Sequence, residues 1–100
     1  MFTHSVYFWL RDDLTTEQIE QVDAGIASLL TIETVRQGFI GKPASTDRPV
    51  IDTTYSRCLI ATFDDLAGHD VYQDHPVHDK FRDDCHEMWS KVQIYDAVSD

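Results

Sequence analysis

The order in which hydrophobic periodicity changes along the chain restricts its fold more than any other feature: alternation, then helical spacing, then two alternating segments, helical spacing again and a last alternation. Residues 3–10 place His4, Val6, Phe8 and Leu10 on one face of a strand, with Ser5, Tyr7 and Trp9 on the other. Thr15 followed by Gln18 has the form of a capping box, and Ile19, Val22, Ile26, Leu29 and Leu30 keep helical spacing to about Ile32. Residues 34–42 carry Val35, Phe39 and Ile40 interrupted by Gly38 and Gly41, which predicts a second strand that bends or approaches another backbone. Residues 43–52, with two prolines and a polar centre, form a surface loop.

Residues 55–63 alternate most clearly, with Tyr55, Arg57, Leu59, Ala61 and Phe63 opposite Ser56, Cys58, Ile60 and Thr62. Asp64 is the expected cap of a short helix reaching about Gln73. Pro76 suits the first position of a further helix, because its fixed φ and missing N–H cost nothing there, and makes His75 the cap residue. That helix is expected to run to about Ser90, with Phe81, Cys85, Met88 and Trp89 on its apolar stripe, before Val92, Ile94 and Val98 close the sheet. The order βαββαβ predicts an α+β, ferredoxin-like sandwich over residues 1–100 as one domain.

With both helices on one face, the other face of the sheet would expose Tyr7, Trp9, Cys58 and Ile60. A homodimer formed through this open face would cover it. Eighteen acidic residues against eight basic ones give a formal charge of -10, which repels nucleic acid and anionic membranes. The two cysteines have no metal or disulfide spacing, and no apolar run approaches the length of a membrane span. The opening residues lack the pattern of a secretory signal, so a cytoplasmic protein is expected.

The residues able to carry chemistry gather around the kink. His78 shares the stripe of Phe81 and Cys85 and therefore faces inward, while Tyr72 ends the preceding helix. Two readings are open: His78 as general base or acid with Tyr72 orienting a substrate oxygen, or a core histidine bonded to a backbone carbonyl. His4 and Arg57, on the helix side of neighbouring strands, read as a proton-transfer group and an anion-binding guanidinium lining the same cavity as Phe81. Arg57 is equally satisfied by one of the many carboxylates. His75, His78, His86 and Cys85 lie near one another in sequence, but a residue before proline is extended, so no metal site is expected. No glycine-rich phosphate loop or GxSxG turn occurs, and no cofactor is expected.

The opening His4-Ser5-Val6-Tyr7-Phe8, the strand end Ala61-Thr62-Phe63-Asp64, the segment Tyr72-x-x-His75-Pro76-x-His78, Trp89 and Asp96 together resemble the Dabb family of stress-responsive dimeric α/β-barrel proteins. That resemblance implies a ferredoxin-like protomer forming a dimeric α/β barrel, with a cavity between sheet and helices. A plant polyketide cyclase of the family, olivetolic acid cyclase, uses a tyrosine and a histidine matching Tyr72 and His78, with a pocket histidine matching His4. Arg57 stands where that cyclase has another histidine, and Val22 and Ile26 where it has aromatic residues, which implies a different lining. Three functions follow as expectations: a small organic ligand held in the cavity, a cyclase-like lyase, or a structural stress protein without ligand.

Overall fold

The computed structural model describes residues 1–99. Strand β1 (Phe2–Leu10) is followed by helix α1 (Thr16–Leu29), strands β2 (Gln37–Gly41) and β3 (Arg57–Phe63), helices α2 (Leu66–Asp74) and α3 (Pro76–Cys85), a 3₁₀ turn at His86–Met88 and strand β4 (Trp89–Val98). The capping box of α1 is present in both directions, Gln18 N–H donating to Thr15 Oγ1 at 3.1 Å and Thr15 N–H to Gln18 Oε1 at 2.8 Å. The cap of α2 is Asp65 and not Asp64: Asp65 Oδ1 accepts from Gly68 N–H, whereas Asp64 turns outward to Arg36. Helix α3 ends at Cys85, earlier than its apolar stripe suggests. Trp89 instead opens β4, and its ring still packs on Phe81 and Phe8 at centroid distances of 5.4 and 5.2 Å.

The sheet is antiparallel throughout, in the order β2-β3-β1-β4. The expected barrel is overturned. β2 and β4 lie at opposite edges with two strands between them, so the sheet is open, and four strands are about half the number whose closure encloses a packed interior. What stands is an α+β ferredoxin-like sandwich. Its core joins Val6 and Phe8 of β1, Leu59 and Phe63 of β3, and Val22 and Ile26 of α1. Helices α1 and α3 approach closely at Gly25, where a Cβ would lie 2.8 Å from Phe81 Cδ1 and 3.0 Å from Cys85 Sγ.

Coverage by the helices is uneven, and this positions the site. On β1 the helix-facing residues His4, Val6 and Phe8 are buried, but their partners on β4, Ile94 and Val92, remain exposed. A groove is therefore left between α3 and β4. On the opposite face Tyr7, Trp9 and Ile60 are half-buried and Phe39 and Tyr95 exposed, while Cys58 is buried within the chain itself. Among the described residues no helix is long and apolar enough to cross a membrane.

Candidate functional site

The site begins at the break between α2 and α3. His75 is extended (φ −69°, ψ 141°), as the residue before proline must be, and its Nδ1 accepts the Val77 N–H at 3.1 Å. Its Nε2 lies 3.3 Å from Glu33 Oε2. Pro76 takes the first position of α3, so the chain turns sharply without leaving an unsatisfied donor. This turn brings the ring of His78 edge-on against Tyr72, with centroids 5.2 Å apart and planes at 69°.

Tyr72 is fully buried and packed by Phe63 and His4 as well as His78, at centroid distances of 5.2 to 5.4 Å. Burial raises the pKa of its hydroxyl far above the usual phenol range. It is thus a donor at physiological pH. Burial lowers the pKa of His78, with Arg82 and His4 adding to the effect, so its imidazole is neutral near pH 7 and has a lone pair to offer.

His4 stands directly opposite Asp96 in the β1–β4 register, with Nδ1 2.6 Å from Asp96 Oδ1. A carboxylate only accepts, so the His4 Nδ1–H donates. Burial lowers the pKa of His4 despite this partner. His4, Tyr72 and His78 line a cleft of about 390 Å³ whose apolar walls include Phe8, Phe81, Trp89 and Ile94, with Gln73, Arg82 and His86 as further polar groups. The sequence-predicted Tyr72, His78, His4 and Phe81 therefore meet in one space.

Arg57 does not join them. It pairs with Phe8 in the sheet, four residues or about 13 Å along β1 from His4, and its Nε donates to Asp23 Oδ1 of α1 at 2.7 Å. Val22 and Ile26 are fully buried in the core and absent from the cleft wall. His75 caps α3, His78 lines the cleft and the His86 Nδ1–H donates to the Arg82 carbonyl at 2.7 Å, so these histidines serve separate elements.

One residue escaped the sequence reading. His69, on α2 one helical turn before Tyr72, is 8% exposed, stacks on Phe2 at 4.5 Å and lies 4.8 Å from the His4 ring. Neither of its ring nitrogens has a hydrogen-bond partner. Its spacing of three from Tyr72 was the available signal.

Residues 2–99 match the model of the Stress responsive A/B Barrel Domain family, Dabb. The chain belongs to the Dabb family. A Dabb family protein with a ferredoxin-like fold from Mesorhizobium loti is 25% identical, with a TM-score of 0.77 over 98% of this chain and 95% of that one. A dimeric ferredoxin-like protein of unknown function from Thermobifida fusca is 23% identical, with a TM-score of 0.78 over 98% and 90%. The hydroxynitrile lyase of Passiflora edulis is 19% identical, with a TM-score of 0.80 over 99% and 93%. No curated protein matches the chain. Dabb membership and the ferredoxin-like fold thus agree, although the protomer's own sheet is open.

Proposed function

We propose that this Dabb chain acts as a homodimer that binds a small, oxygenated organic molecule in the cleft between sheet and helices. One observation carries the reading: Tyr72 and the neutral His78, packed edge to face, line the same largely apolar space of about 390 Å³. Apolar walls with a few convergent polar groups are the usual lining of a small-molecule site. The two cysteines are free and buried, which suits a reducing compartment, and we place the protein in the cytoplasm. Dimerisation is supported by the apolar sheet face bearing Tyr7, Trp9, Phe39 and Tyr95, and by the dimeric description of the Thermobifida protein.

The binding test is a titration of isotope-labelled protein with a panel of aromatic ketones and hydroxyaromatic acids, followed by NMR. Shifts should cluster at Phe8, Phe81 and Trp89, and Tyr72→Phe should weaken the best binder five- to tenfold, the equivalent of one hydrogen bond at about 1 kcal/mol. Shifts scattered over the surface for every compound would overturn the reading.

A second reading is a lyase in which His78 removes a proton alpha to a carbonyl while Tyr72 donates to the enolate oxygen. It is favoured by the lowered pKa of His78 beside a tyrosine that stays protonated. Its roots are the likeness of Tyr72, His78 and His4 to the site of olivetolic acid cyclase, and the hydroxynitrile lyase shares the fold. Incubation of bound ketones in D₂O tests it: deuterium should enter the alpha position with the wild type and fall at least about 100-fold with His78→Gln. Equal exchange by both proteins excludes His78 as the base.

A further inference from the structure

Beside the cleft, a second constellation shares only His4 with the proposed site. His4 of β1, His69 of α2 and Asp96 of β4 each offer a ligand atom, and these atoms all lie within 4.8 Å of one another. His69 is more than nine-tenths buried and both of its ring nitrogens lack a hydrogen-bond partner, Asp70 Oδ1 standing 3.8 Å from Nδ1. Stacking on Phe2 accounts for the face of the ring but leaves its polar edge unexplained. Orphaned buried nitrogens are expensive, and an unexplained pair in a native core marks a missing partner.

We propose that His4, His69 and Asp96 form a binding site for a divalent first-row transition ion. Two imidazoles and one carboxylate are the donor set that zinc and ferrous iron take in sites with an open position. Ligand atoms around such an ion, each about 2.0–2.2 Å from it, stand roughly 3–4 Å apart, so 4.8 Å is closed by small ring rotations. The ion would exchange the His4–Asp96 hydrogen bond for coordination and give His69 a partner, and the chain's charge of -10 favours a cation throughout. Three chain segments distant in sequence would be tied together, so the ion would also stabilise the fold.

The site adjoins the cleft through His4 but does not depend on an organic ligand there, so each idea can fail without the other. The test uses chelator-treated, full-length protein titrated with Zn²⁺ and with Co²⁺ as spectroscopic probe. One ion per chain at micromolar affinity or tighter is expected, with a rise in Tm and with visible Co²⁺ bands of nitrogen and oxygen ligation. His69→Phe keeps the stacking on Phe2 and should remain folded, yet lose the Tm rise and weaken binding at least about tenfold. Asp96→Asn should behave likewise, while His75→Asn and His86→Asn retain the site. Binding no tighter than millimolar, or binding that survives His69→Phe, would overturn the proposal.

Discussion

His4 and His78 are held in the fold as neutral imidazoles, and this makes their contribution to stability depend on pH. Burial lowers both pKa values below 6.5, so below that pH the unfolded chain binds protons that the folded chain does not. Stability from these groups is therefore complete above 6.5 and is lost as the pH falls through that value toward the lowered pKa. His78→Leu should flatten the dependence: the gap between variant and wild type in urea midpoint should shift toward the variant between pH 7.5 and 5.5. An unchanged gap would exclude His78 as an acid-sensitive group. At this scale the sequence was only partly legible. The inward stripe of Phe81 and Cys85 indicated that His78 faces the interior, whereas the one sequence signal of His69, its spacing of three from Tyr72, gains meaning only when the sheet places His4 and Asp96 beside it. Arg57 lies on the helix-facing side, as alternation requires, but its position along the strand directs it to Asp23, and only the register of β1 against β3 fixes that.

The break between α2 and α3 is the element on which the cleft depends, and its chemistry is local. His75 Nδ1 satisfies the Val77 N–H, so His75→Ala should cost about 1 kcal/mol in urea unfolding, while His75→Asn should stay within a few tenths of the wild type. Equal loss in both variants would assign the role to the Glu33 contact instead. Gly25→Ala makes a separate demand on α1 and α3. The gain in helix propensity of about 1 kcal/mol should be outweighed by the clash with Phe81 and Cys85, leaving a net loss of about 1–2 kcal/mol in the same measurement. Helix starts with caps were readable to within a residue or two, as those of α1 and of α3 at Pro76 are. Where no cap marks the end, periodicity misled: Met88 and Trp89 continue the apolar spacing of α3, but their side chains meet the core from a 3₁₀ turn and from β4.

The whole molecule is an open sheet with helices on one side, and its other side must be either solvated or covered. Exposed Phe39 and Tyr95 flank half-buried Tyr7, Trp9 and Ile60, an apolar surface of the kind that monomers seldom keep. A two-fold copy of the same face is the simplest cover, because one self-complementary patch serves both protomers. Two chains of charge -10 repel one another, so association through this face has to be driven by apolar burial and should strengthen as salt screens the repulsion. Sedimentation velocity over a range of concentrations should therefore show a dimer that tightens from 50 to 500 mM salt. Phe39→Lys with Tyr95→Lys should shift it to monomer, whereas Ile94→Lys, on the helix-facing side of β4, should leave the dimer intact while filling the cleft. A dimer that weakens with salt, or that Ile94→Lys breaks and the sheet-face pair does not, would move the interface to β4 and make the cleft part of it.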